Sequence, residues 1–203
     1  MDLDTYLTEV HLKLQGWCSV EKALDMVSLI NRQKPQLCVE LGVFGGRSLF
    51  PVGFALKRLG GGRVIGIDPW AKSSAVEGSL DKAQEDWWSS LSYENIYSEC
   101  VDNNTTLGLT EHVEIWRETA SSALSKFSDE SIDILHIDGN HTVESSVRDV
   151  YEWLPKVRPG GYIWFDDLDW VSTSVAVLLL SVLCKRCNSN TTYGLFQKPE
   201  SSK

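Results

Sequence analysis

Short apolar runs that stop at acidic or glycine-rich turns constrain this chain more than any other feature. Leu37–Leu41 runs into Gly42, Val64–Ile67 into Asp68-Pro69, Ile132–Ile137 into Asp138-Gly139 and Tyr162–Phe165 into Asp166-Asp167, with Val113–Trp116 between them. Runs that are apolar on both faces belong in a parallel sheet covered on both sides. Helical stripes separate them. Leu49, Val52, Leu56 and Leu59 end at Gly60-Gly61-Gly62, and Val143, Val147, Val150, Tyr151 and Leu154 end at Pro155. The expected fold class is α/β, with a doubly wound, mostly parallel sheet and helices on both faces.

Two amphipathic helices are expected ahead of the sheet. Leu3, Leu7, Val10 and Leu14 share one helical spacing, and Ala23, Leu24, Val27, Leu29 and Ile30 share another after Gly16. No repeat or linker divides the 203 residues, so the chain reads as a single domain. Residues 1–34 are its N-terminal helices, serving as a lid or a contact with a second copy, and 35–203 its core.

Charge and cysteine content narrow the function classes. With 28 acidic against 19 basic side chains, the net charge is -9, which argues against nucleic acid as a partner. The longest apolar stretch, Val175–Leu183, is about half of what a bilayer span needs, so no membrane partner is expected. Met1–Val10 lacks a basic segment followed by an apolar one, so no secretory signal is visible. Five scattered cysteines read as reduced thiols in a cytoplasmic protein. Cys184 and Cys187 form a lone pair without the further ligands a structural zinc requires.

Parallel sheets place ligands beyond the carboxyl ends of their strands, and the polar punctuation falls there: Glu40 with Gly42, Asp68, Asp138, and Asp166 with Asp167. The first loop, Glu40-Leu-Gly-Val-Phe-Gly-Gly-Arg-Ser48, lacks the Gly-x-Gly-x-x-Gly spacing of dinucleotide enzymes. Glu40 would repel a pyrophosphate but suits a cationic amino-acid group. Asp68 is placed to accept hydrogen bonds from ribose hydroxyls, or else to cap the turn at Pro69. Trp70 either lies along an adenine or packs in the core.

These blocks together resemble the class I S-adenosylmethionine-dependent methyltransferases, and most of all the catechol-type and the macrolide and aminocoumarin sugar O-methyltransferases. The matching text is Val39-Glu-Leu-Gly-Val-Phe-Gly-Gly-Arg-Ser48, Ile65-Gly-Ile-Asp-Pro-Trp70, His136-Ile-Asp-Gly-Asn-His141 and Pro159-Gly-Gly-Tyr-Ile-Trp-Phe-Asp-Asp167, in the expected order over roughly residues 35–170. The resemblance implies a Rossmann-like sheet, with Thr191–Gln197 as an antiparallel C-terminal edge strand. It also implies S-adenosylmethionine as cofactor. Glu40, Gly42, Phe44, Gly46 and Ser48 would surround its methionine part, Asp68, Pro69 and Trp70 its ribose and adenine, and Thr119-Ala120-Ser121 the far side of the adenine, with Asp138 alongside.

Three oxygen-donor acids, Asp138, Asp166 and Asp167, suit a hard cation such as Mg²⁺. The other reading of these acids is helix capping with a salt bridge to Arg148 or Arg158. His141, three residues beyond Asp138 at a helix entry, is the candidate base for a small-molecule hydroxyl acceptor, a sugar or a phenol. Relatives carry a lysine near this place or an aspartate at the position of Asn140. His136 alternates with Asp138 and reads as a packed core histidine. Trp17, Trp87, Trp88 and Trp170 fall where relatives place lids and substrate walls, or else serve core and interface packing. A metal-independent methyltransferase, a non-catalytic adenosyl-binding protein, a hydrolytic metalloenzyme and a nicotinamide oxidoreductase are the competing readings.

Overall fold

The structure is a computed structural model and describes residues 1–78 and 81–200. Helices α1 (Leu3–Glu9) and α2 (Val20–Gln33) precede strand β1 (Leu37–Leu41), and α3 (Leu49–Leu59) leads to β2 (Arg63–Ile67). Three helices follow, α4 (Lys72–Ala75), α5 (Lys82–Ser90) and α6 (Tyr93–Thr106), before β3 (Val113–Trp116) and α7 (Ala120–Ala123). The chain then alternates through β4 (Ile132–Ile137), α8 (Val143–Trp153), β5 (Val157–Asp166) and α9 (Ser174–Leu183), and ends with β6 (Lys185–Arg186) and β7 (Tyr193–Gln197). Among the described residues, seven strands form one sheet in the order β3-β2-β1-β4-β5-β7-β6. β1 to β5 pair in parallel, whereas β7 runs antiparallel to β5.

The expected α/β architecture is the one observed, including the antiparallel C-terminal edge, with two-residue β6 on the outer side of β7. Some boundaries differ. β5 begins at Val157 and draws in Pro159-Gly160-Gly161, where pairing with β4 shifts register between Ile132 and Ile134. Such an irregularity accommodates a proline that cannot donate to the ladder. The stripe from Leu3 to Leu14 breaks after Glu9 into a tight turn at His11–Lys13. Buried His11 explains the break: Nδ1 accepts from the Tyr6 hydroxyl at 3.2 Å and Nε2 donates to the Cys18 carbonyl at 2.8 Å. α5 has no buried residue, and so no apolar stripe by which to read it.

The two faces of the sheet carry separate cores. Cys38, Ile134 and Trp164 pack under α2 and α3, while Val39, Leu41, Leu135, Ile137, Ile163 and Phe165 pack against α8 and α9. Alternation along each strand puts Glu40, His136 and Asp166 on the α2 side. All five cysteines are free thiols. Among the described residues, no helix is long and apolar enough to cross a membrane.

Candidate active site

The strand order reverses between β1 and β4, the place where open α/β sheets hold their ligands. Gly42 leaves β1 there with φ +84°, and its N–H donates to the Ile67 carbonyl. A Cβ on Gly42 would lie 2.0 Å from the Asp138 carbonyl oxygen, so only glycine lets the first loop meet the end of β4.

Asp68 pins this loop. Oδ2 accepts from the backbone N–H groups of Val43 and Phe44, both at 3.0 Å, and Oδ1 accepts from Trp70 N–H at 2.7 Å. Burial raises its carboxyl above the ordinary range, although those three donors pull it down. Three of its roughly four acceptor positions are thus filled from the chain. Trp70 is 2% exposed; its indole N–H donates to the Phe44 carbonyl and its ring lies 4.9 Å from Tyr97, so it braces the loop from below. Thr119 caps α7 through Ser122 N–H, and the Ser121 hydroxyl donates to Glu152. The Gln15 backbone lies on Gly45, and Arg47 donates to the Gly16 carbonyl at 2.7 Å. Above them Trp17 meets Phe44, Trp87 and Trp88 at ring separations of 5.2, 5.6 and 6.0 Å.

Beneath the loop lies a buried ionic cluster. Glu40, 1% exposed, accepts from the Ser48 hydroxyl at 2.6 Å through Oε1. Its Oε2 is 3.3 Å from His136 Nδ1, yet neither atom has an aligned hydrogen bond. His136 Nε2 faces Asp166 Oδ1 at 3.3 Å. Lys22, from the first turn of α2 and 3% exposed, lies across this group. Its ammonium pairs directly with Asp166 Oδ2 and stands 3.2 Å from His136 Nε2 and 4.0 Å from Asp138. Burial and the Lys22 charge press the His136 imidazole down, but Asp166 and Glu40 outweigh them and lift it to about 9. Burial raises Asp166, and the charges of Lys22 and His136 overturn that and hold it below the usual carboxylate range.

A second group sits nearer the solvent. His141 Nε2 pairs with Asp167 and lies 3.7 Å from Asp138. Burial pulls this imidazole down, but the bond to Asp167 and the charges of Asp138, Asp167 and Asp166 raise it overall. Burial and the neighbouring Asp166 push Asp138 well above its ordinary value. The Trp170 ring stands 5.1 Å from the His141 ring. Asn140 donates to the Ser74 and Glu77 carbonyls and accepts from Thr142 N–H, closing the segment before α5 onto this lip. The cleft lined by Asp138, His141, Asp166 and Thr173 is about 10 Å³, roughly room for one water.

The sequence-predicted acids are therefore near one another without forming one donor set. Among the described residues, the groups whose donor atoms lie within 4.8 Å of one another are His136–Asp138–Asp166 and Asp138–His141–Asp167. The arginines offered as alternative partners are elsewhere: Arg148 meets Glu77 and Arg158 meets Asp133. Lys22 is the residue that sequence reasoning missed. Its one visible signal is a lysine in the first turn of a helix, where the dipole disfavours a cation.

Comparison with known proteins decides the family. The methyltransferase domain family matches residues 39–168, more than half of the chain. The chain belongs to that family. It is 28% identical over 141 residues to the uncharacterized protein y4gI of Sinorhizobium fredii (strain NBRC 101917 / NGR234), a match covering 70% of the chain but 14% of that protein. The chain thus spans about a seventh of the curated relative it matches. The O-methyltransferase NovP superposes with a TM-score of 0.69 at 18% identity, covering 90% of this chain and 81% of NovP. The O-methyltransferase from Bacillus cereus in complex with SAH gives 0.61 at 16% identity, covering 94% and 86%. These likenesses concern the fold.

Proposed function

We propose that this methyltransferase transfers a methyl group from S-adenosylmethionine to a hydroxyl of a small molecule, a sugar or a phenol. The observation that carries the reading is the convergence of the Gly42 loop, Asp68 and Asp138 on one lip, where the strand order reverses. Carboxylates there suit a sulfonium cation and ribose hydroxyls, whereas a pyrophosphate would be repelled. The solved complex of the Bacillus cereus O-methyltransferase with SAH supports the same ligand class.

S-adenosylmethionine supplies a sulfonium methyl carbon open to in-line attack; the C–S bond breaks as the acceptor's C–O bond forms. The chain aligns the partners and removes a proton. The Gly42 loop and Asp68 would hold the nucleoside, and Trp170 would form a flat wall for the acceptor. His141 is the base. Asp167 and Asp138 orient its Nε2 and stabilise the imidazolium, and Nδ1 takes the hydroxyl proton.

The Mg²⁺ expected from the three acids would have to displace Lys22 from Asp166 and His141 from Asp167 before they could share it. With both bases in place the residues do not fit that ion. Calorimetry with S-adenosylhomocysteine, followed by labelled-methyl transfer to a panel of sugars and phenols, tests the reading. Absence of nucleoside binding would overturn it.

A further inference from the structure

We propose that Lys22 is the resident counter-cation of the acidic lip, supplying from within the chain the charge that a divalent ion would bring between Asp138 and Asp166. This inference rests on the methyl-transfer reading of the same lip.

A lysine ammonium taken fully out of water is costly unless its partners are close and well arranged. Lys22 meets that demand with Asp166 in direct contact and Asp138 at 4.0 Å, which together outweigh the His136 ring at 3.2 Å. Nothing local holds it there. The Ser19 hydroxyl accepts from its backbone N–H at 3.1 Å and fixes the start of α2, but the side-chain partners come 114 and 144 residues later in the chain. The α2 entry therefore exists in a form that drives one cation into the lip.

The same contacts assign a positioning role. Asp166 has one oxygen on Lys22 and the other facing His136, which backs onto Glu40. Asp138 stands between Lys22 and His141. The order along the lip is Asp166, Lys22, Asp138, His141, Asp167, with acids and bases alternating. Lys22 bridges Asp166 and Asp138, which leaves Asp167 to His141. A point charge that is tethered also spares the chain the divalent ion's demand for several oxygen ligands.

Mn²⁺ is the probe that tests this, read by electron paramagnetic resonance and by thermal melts of the full chain. Wild type is expected to take up Mn²⁺ weakly. Lys22→Met, which keeps the apolar stem and removes the charge, is expected to bind one Mn²⁺ per chain at least about tenfold more tightly. Its melting temperature should rise with MnCl₂ and not with KCl of equal ionic strength. The double variant Lys22→Met/Asp166→Asn should lose that gain, which places the ion between the same two acids.

Equal Mn²⁺ affinity in wild type and Lys22→Met overturns the proposal. If Lys22→Met does not fold in KCl, recovery in MnCl₂ supports the proposal and failure in both salts overturns it. S-adenosylhomocysteine calorimetry on the same samples separates the two readings. Nucleoside binding without the Mn²⁺ contrast rejects the role of Lys22 alone, and the contrast without nucleoside binding rejects methyl transfer alone.

Discussion

The two halves of the lip are built by different means. On the β1–β2 side, Asp68 holds the loop through three backbone N–H groups, and Gly42 seats the loop against β4. On the β4–β5 side, side-chain charges do the holding: Lys22 and His141 alternate with Asp166, Asp138 and Asp167. Backbone anchoring fixes a shape, because main-chain donors cannot change partners without unfolding the loop. Side-chain anchoring fixes a charge balance, which responds to pH, to ions and to a single substitution. The first suits recognition of an invariant donor, the second the handling of a proton.

The largest expected effect tests the proton-handling side. His141→Ala should lower methyl transfer by about 10²- to 10⁴-fold while leaving S-adenosylhomocysteine affinity unchanged. An equal loss of nucleoside affinity would show that the two halves are not separate devices. Next comes Lys22→Met in the absence of divalent ions. Removing one partner of a buried pair costs about 3–5 kcal/mol, on the order of 10 °C in melting temperature for a chain of this size.

Asp68→Ala should be milder in stability, about 1–3 kcal/mol for stranded backbone donors, but it should weaken nucleoside binding where Lys22→Met does not. Competition calorimetry on the two variants sharpens the contrast.

The most gradual effect is one of pH. His136 is held at about 9 in the folded chain, against roughly 6.5 for an ordinary histidine. Because the folded value is the higher one, the stability it contributes is complete below about 6.5 and is lost as pH rises through about 9. Melts of wild type between these limits should show that decline, and His136→Gln should not. Nucleoside affinity, assigned by the proposed function to the Gly42 loop and Asp68, should follow a flatter course.

Much of this was legible in the chain. The runs at Leu37–Leu41 and Ile132–Ile137 mark their strands because burial on both faces keeps them mainly apolar, with Glu40, Asp133 and His136 as the polar exceptions. Alternation also carries Glu40 and His136 to one face, where they pair across β1 and β4. α5 and α6 were not legible, since they bury little and their sequences lack a strong stripe. Trp70 could be read either way, and the structure seats it under the Phe44 carbonyl because Asp68 turns the backbone there, with φ +42° at Trp70.

By itself, the sequence determined the parallel sheet, its acidic lip and the family, because strand periodicity and turn chemistry act over a few neighbouring residues. Which acids share a partner was decided only in three dimensions. Asp138, Asp166 and Asp167 read as one cluster along the chain, yet α2 lies across the sheet and sets Lys22 between two of them, while His141 takes the third. Coulomb forces act through space rather than along the backbone, so a charge contributed by a distant helix redraws a site that local spacing alone describes as open.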